Sequence, residues 1–433
     1  MTPAVANAIL RPIPRWGHGA NMVIDFQRNW GWMNGRFVPA GKIVDTHAGT
    51  HYADYRDGHY AAFPANVLSL TDRGAQTVPT RTNSIRNNSM VGAANPSTLP
   101  TNWATSTPIS GLTETIVGTG TEHGLPYMDW RINGTANTGG GDYLDLNFES
   151  SVQIVASSGQ VWTISFGHKL VGGSFGSLTL LGQINENTSA GDYVVGGNGT
   201  FTTPDATFRR EAHTRTLAGG GTVARIRPIL GIGNITNSLA IDFTLRIYAP
   251  QVELGAFASP PILTTSAAVA IAGNQQVISG LTSQLANGVY GFVQLDSRAP
   301  VAETSFVQVL SINDGTGNNS IIVQRNGSGG VRLNVIVATA STVTSAIAWA
   351  SGLQTFAFAA GDGFADIQQV GGSGITAITP SYPVVSQVNI GGAGLSAGAN
   401  AFQSTRKLAL WFGAPNATLF NEVFGLASIA HAA

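Results

Sequence analysis

The sequence predicts an all-β protein: two jelly-roll or β-sandwich domains preceded by an irregular N-terminal arm. Three observations lead there. Fifty-four glycines, with Thr, Ser and Asn, fill the gaps between short apolar runs, which is the punctuation of many strands joined by turns. Those runs alternate apolar and polar residues with a period of two, as a strand with one buried face does. Long segments with the period of a helix are missing.

Residues 1–75 are the least regular and read as an attachment arm or small β-subdomain. Pro3, Pro12, Pro14, Pro39 and Pro64 interrupt any long central strand or helix. Trp16, Trp30 and Trp32 give the segment bulk with which to anchor. Residues 76–250 form the first sandwich, with strands over 127–132, 143–148, 161–166, 178–184, 222–229 and 240–248. Leu144, Leu146 and Phe148 alternate with Tyr143, Asp145 and Asn147, so one set faces the core and the other solvent. Gly134 and Gly139-Gly140-Gly141 supply a hairpin between the first two strands. In the last strand Ile241, Phe243, Leu245 and Ile247 alternate with Asp242, Thr244, Arg246 and Tyr248. Pro250 then removes a ladder donor, and Gly255 and Pro260-Pro261 break any continuation, so residues 251–270 read as a linker. Residues 271–433 carry the second sandwich, with strands over 290–295, 306–312, 320–324, 331–337, 354–358 and 407–412 and a short helix over 417–426. No repeat of about 20–50 residues appears, which excludes solenoids and propellers.

Composition narrows the function classes. A chain of 433 residues has room for two or three domains, and 43% hydrophobic residues make it globular. Charged residues are 10%, against roughly 25% in ordinary soluble domains. So neutral a surface repels its own copies weakly, which suits dense packing in an assembly. A formal net charge of −1 argues against nucleic acid or an anionic membrane as the main partner. No apolar run approaches the ~18 residues of a membrane span. The start does not read as a signal peptide, because the basic residues follow the short apolar run. Cysteine is absent, so there is neither a disulfide framework nor a thiolate nucleophile. That fits folding in bacterial cytoplasm and work outside after release.

Carbohydrate recognition needs flat aromatic faces beside carboxylates or amides. The rings at hand are Trp103, Tyr127, Trp130, Tyr143, Tyr193, Trp349, Tyr382 and Trp411. Trp103, Trp130, Tyr193 and Trp349 are the candidates; Trp103 and Tyr193 lie in turn-rich segments, while Trp130 and Trp162 equally suit a sandwich core. His47 and His51, with Asp54, Asp57 and His59, have ligand types suited to zinc, but glycines and tyrosines make a helix unfavourable there, so the metal is left unknown. Asn313, Asp314 and Asn318, and Asp142 beside Gly141, offer loop oxygens to a structural calcium ion, or simply form turns. Glu114, Glu122, Glu149, Glu186 and Glu211 fall in unrelated loops and strand ends, so no paired carboxylates mark a glycosidase. No Gly-x-Ser-x-Gly elbow and no nucleotide-binding glycine pattern appears.

Three motifs resemble tailed-phage virion structural proteins. One is Pro250-Gln-Val-Glu-Leu-Gly255 followed by Ser259-Pro260 and Thr264-Thr265. Another is Arg81-Thr-Asn83 through Asn88-Ser89 and then Leu99-Pro-Thr-Asn-Trp103. The last is Arg406-Lys-Leu-Ala-Leu-Trp411 ahead of the closing helix. The first two resemble the bounds of a carbohydrate-binding-module-like sandwich, and the third a laminin G or concanavalin-like one. The resemblance covers about residues 70–425. It implies a non-enzymatic fibre, spike or capsid decoration protein, made in the host cytoplasm and located in the virion. Its partners would be other virion proteins, further copies of itself as a trimer, and host surface polysaccharide, with no nucleic acid, no membrane insertion and no cofactor beyond structural calcium. The competing class is a secreted glycan-binding protein or part of a polysaccharide depolymerase.

Overall fold

The computed structural model of the chain describes residues 14–33, 36–37, 43–105, 108–138, 142–298, 307–326, 328–350, 352–372, 377–391 and 402–433. Strands dominate, as alternation predicts, and they fall into two compact units. The central unit comprises Asp57–Ala61 and Arg81–Ile271; the other comprises Met1–Arg56, Ala62–Thr80 and Ala272–Ala433.

Two antiparallel sheets make the central unit. The five-stranded sheet runs Leu112–Glu122, Leu125–Thr135, Ala240–Leu254, Val161–Ser174, Arg209–Thr216. The six-stranded sheet runs Ala104–Thr105, Asp142–Asn147, Arg225–Ile235, Thr179–Asn187, Tyr193–Thr200, with Ile154–Val155 also on Arg225–Ile235. Inward residues of both form one core that includes Trp130, Leu144, Leu146, Phe166, Leu180, Leu230, Phe243 and Leu245. Its aromatic spine is geometrically specific: Trp103 meets Phe148 edge-on at 4.8 Å, and Phe148 meets Phe166 edge-on at 5.7 Å. Such pairs add about 0.5–1.5 kcal/mol each beyond burial.

Two local expectations fail here. Leu125–Thr135 and Asp142–Asn147 belong to different sheets, so Gly134 and the glycines after it form no hairpin; Gly139, Gly140 and Gly141 lie outside the described residues. Gly134 is needed instead where its strand passes the Gly111 carbonyl, because its φ of 134° and the overlap a Cβ would make there both exclude a side chain. Pro250 does not end its strand. Gln251 pairs with Ser165 and Tyr248 with Gly167, so Ala249 and Pro250 together face Phe166 as a bulge. A bulge demands no ladder donor, which is why proline is tolerated.

Nor is 251–270 a free linker. Asn83 donates to the carbonyls of Pro250 and Ile262 and accepts from the N–H of Ile85 and Val252. Asn88 exchanges bonds with Thr264, and Gln251 accepts from the Ile262 N–H at 2.8 Å. Buried side chains thus satisfy the irregular backbone that solvent would otherwise have to reach.

The second unit pairs a nine-stranded with an eight-stranded sheet. Its core includes Val293, Leu310, Val323, Leu333, Phe356, Phe358, Val388 and Leu408. Among the described residues of 1–75 the strands are two to four residues long, and several join the sheets of this unit. Met22–Asp25 pairs with Gln403–Phe412, and Val44–Thr46 pairs with Gln275–Ile278. Met22, Ile24 and Phe26 enter the core. The unbroken apolar run at 22–24 has a single physical reading, burial on both faces, since Val23 packs on the outer layer with Trp16 and Trp30. The Ala417–Ala432 helix covers that layer through Phe420, Val423, Ala427 and Ala430. It starts where Asn416 accepts from the Leu419 N–H at 3.0 Å, and the Lys407 ammonium donates to the Ala430 carbonyl at its end.

Candidate functional site

Alternation that buries one face of the six-stranded sheet turns another set of residues outward. Asp142–Asn147 sends Leu144 and Leu146 inward and Tyr143, Asp145 and Asn147 outward. In Thr179–Asn187, Leu180 and Ile184 point in, so Gln183, Asn185 and Asn187 point out. Register places Asn198 opposite Gln183 and Gly196 opposite Asn185. On the strand between, Arg227 is opposite Asn185, and Ile229 lies between Gln183 and Asn147.

On this face Tyr143, Asp145, Gln183, Asn185, Tyr193 and Asn198, with Gly196 and Gly197, line a groove of about 280 Å³. Tyr143 and Tyr193 are 56% and 62% exposed, on strands three places apart, roughly 14 Å at ~4.8 Å per strand. Glycine keeps the floor flat. A Cβ on Gly233 would stand 2.9 Å from the Tyr143 ring, and one on Gly231 would overlap the Gln183 amide. The rings and amides can therefore lie along the sheet. Asn147 Oδ1 and Arg227 Nε are buried on this face without a hydrogen-bond partner, a state that ligand or water atoms would relieve. Burial pushes the Asp145 carboxyl above its ordinary value, opposed by the Arg227 charge. The site thus offers amide donor–acceptor pairs, exposed rings and little net charge.

Of the four rings singled out in sequence, the groove takes Tyr193. Trp103 is buried, its indole N–H donating to the Asn87 carbonyl at 2.8 Å. Trp130 is 1% exposed in the sandwich core. Trp349 is buried in the other unit, stacked on Phe356 at 6.1 Å. Large rings complete these cores, so none of the three presents a face to solvent. Gln183, Asn185 and Asn198 were missed, although the first two follow from extending the alternation of Leu180 and Ile184.

The ion candidates are otherwise engaged. His47 and His51 stack at 3.8 Å, and His47 Nε2 meets the Val67 carbonyl. Asp54 binds Arg298 and Arg73, while Asp57 pairs with His59. No group of three His, Cys, Asp or Glu among the described residues could hold a metal. Asp314 accepts from Thr316 and Asn319 within its own loop, as a turn residue does. Acids scanned for catalysis are ion-paired or capped: Glu122 by Lys169 and Arg246, Glu149 by Arg86, Glu186 by Arg215, Glu211 by His168 and Thr202. Glu114 differs and lines a separate slot.

No protein-family model matches the chain, and no curated protein matches it in sequence. Among solved structures it is similar to the tandem CBM22-1–CBM22-2 domains of Paenibacillus barcinonensis Xyn10C, at 11% identity over 78% of this chain and 98% of that one, with a TM-score of 0.24. It is similar to domains LG4-5 of the mouse laminin alpha1 chain, at 12% identity over 65% and 92%, with a TM-score of 0.25. It is also similar to the enzymatically active domain of tailspike protein 4 of bacteriophage CBA120, at 16% identity and a TM-score of 0.24. There the match spans 36% of this chain and 20% of the tailspike chain. These likenesses are of β architecture alone.

Proposed function

We propose that the protein is a non-enzymatic structural component of a tailed-phage or phage-like virion, a fibre, spike or decoration protein. Its central unit holds a host surface polysaccharide against the outward face of the six-stranded sheet. The observation that carries the glycan reading is the pair of exposed tyrosines, Tyr143 and Tyr193, flanking an amide-lined groove. Sugar hydroxyls donate and accept at once, as Gln183, Asn185 and Asn198 do, and apolar C–H faces pack on rings. Asp145 is the one carboxylate among the lining residues, which leaves paired-acid hydrolysis without its second partner there. The virion reading rests on the sequence motifs and on a chain only 10% charged. It assigns other virion proteins and further copies of the chain, as a trimer, as partners, the virion as location, and no cofactor.

Antibody labelling of purified particles in negative stain tests the virion reading; particles without label overturn it. Titration calorimetry with host surface polysaccharide tests the groove. Tyr143→Ala and Tyr193→Ala should each weaken binding roughly fivefold to tenfold, about 1–1.5 kcal/mol, with unchanged melting temperature. Unchanged affinity in both variants sinks the assignment, and falling viscosity of the polymer would favour a depolymerase.

A further inference from the structure

Leu112–Glu122 is an edge strand of the five-stranded sheet, and Ala104–Thr105 an edge strand of the six-stranded one. A second slot of about 360 Å³ opens there, lined among others by Leu99, Pro108, Leu112, Ile116, Glu114 and Trp130. The Ile116 N–H donates to the Pro96 carbonyl at 2.8 Å, which fixes the neighbouring loop to the edge strand. Apolar side chains make up half of the lining, with Ser97, Thr105, Thr113 and Thr115 among the rest, and Glu114 places a part-buried carboxyl in that wall, where less water is left to hold its charge. Burial pushes the Glu114 carboxyl up to about 7, and one hydrogen bond from Trp130 offsets that only in part. No Lys, Arg or His is among the lining residues to compensate it.

We infer that this slot is a second binding site, separate from the amide-lined groove, for a small primary amine on an apolar stem. The stem replaces water against Leu99, Pro108, Leu112 and Ile116, and the ammonium supplies the charge partner that Glu114 lacks. On binding, Glu114 gives its proton to solvent and pairs as the carboxylate. The amine comes either free or as the lysine side chain of a bound protein, and the chemistry recognised is the same.

The test is a pH-resolved titration of the full chain, followed by calorimetry or ligand-observed NMR. Hexylamine and Nα-acetyl-lysine amide are the cationic probes; hexanol and hexanoate are the neutral and anionic controls. Amine binding should strengthen as pH rises through about 7, by roughly tenfold per unit below that value, because the ionised fraction changes so. Preference for hexylamine indicates a free amine and preference for the lysine amide a side chain; either supports the site. Glu114→Gln keeps an acceptor for the Trp130 N–H and should reduce hexylamine to the affinity of hexanol. Tyr143→Ala should leave amine binding unchanged, which separates this site from the glycan groove. Hexanol binding as well as hexylamine at pH 8.5, tighter binding of hexanoate, or no binding by either amine overturns the inference. The wild-type pH profile decides the matter even if the variant fails to fold.

Discussion

His51 and Asp45 sit either side of His47 in the second unit with opposite protonation biases. Burial, helped by the neighbouring His47, drives His51 down to about 4 from 6.5. Burial drives Asp45 up to about 6 from 3.8, partly offset by Asn274, His47 and Gln276. A histidine with a lowered folded pKa loses stability as pH falls from 6.5 to about 4, because the unfolded chain binds that proton first. A carboxyl with a raised folded pKa contributes most below 3.8 and loses its contribution as pH rises through about 6. Between about pH 4 and 6 the two therefore oppose one another. Asp45→Asn removes one side of the balance. Relative to wild type it should lose up to about 3 kcal/mol of stability between pH 6 and 4, at about 1.4 kcal/mol per unit. Denaturation midpoints at pH 4, 5 and 6 check this, and parallel pH profiles for the two proteins would contradict it. Residue types alone gave His47 and His51 the look of ligands. What escaped was burial, for the same reason that Trp103, Trp130 and Trp349 escaped: a ring's chemistry is identical in a core and on a surface.

At the scale of elements, alternation was legible wherever one face of a strand was apolar. Three of the longer strands of the central unit were missed because alternation of apolar and polar residues is absent from them. Arg209–Thr216 and Tyr193–Thr200 have no buried residue at all, and Leu112–Glu122 buries Ile116 alone. All three are edge strands held by backbone pairing, which leaves little hydrophobic trace. The two motifs at the bounds of this sandwich acquire a common meaning. Asn83 and Asn88 from the Arg81 motif grip Pro250 and Thr264 of the Pro250 motif, and Ile262 between them. Arg81 adds to this, its guanidinium 4.4 Å above the Phe257 ring. Motifs about 170 residues apart in sequence are one hydrogen-bonded closure. Asn83→Ala would strand the N–H groups of Ile85 and Val252 in the interior. Each unsatisfied group costs about 1–3 kcal/mol, so the central unit should lose roughly 2–5 kcal/mol, read by chemical denaturation. A loss below ~1 kcal/mol would show that the closure is incidental.

At the scale of the whole molecule, local pattern could not reveal which segments share a unit. Prolines and strands of four residues or fewer at the start suggested an arm, because short strands carry almost no periodicity of their own. Partners of two of them lie more than two hundred and nearly four hundred residues away, as in the pairings of Thr46 with Gln275 and of Val23 with Ala409. The central unit, by contrast, is nearly contiguous at Arg81–Ile271. This asymmetry predicts how the chain can be cut. Residues 81–271 alone should unfold in one cooperative transition, since the core, both sheets and the Asn83 closure are retained. Deleting residues 1–56 should instead ruin the second unit. It strips Met22–Asp25 from Gln403–Phe412 and Val44–Thr46 from Gln275–Ile278, and it takes Met22, Ile24 and Phe26 out of the core. Each such truncation costs about 2–5 kcal/mol, and three together exceed the margin of an ordinary domain. Calorimetry of the truncated chain should then show the central transition and lose the other, with residues 272–433 cut rapidly by protease. A truncated chain retaining both transitions would show that the second unit folds without residues 1–56. If the unit does collapse, failure of that truncation to enter particles reports misfolding, and attachment has to be mapped with surface substitutions.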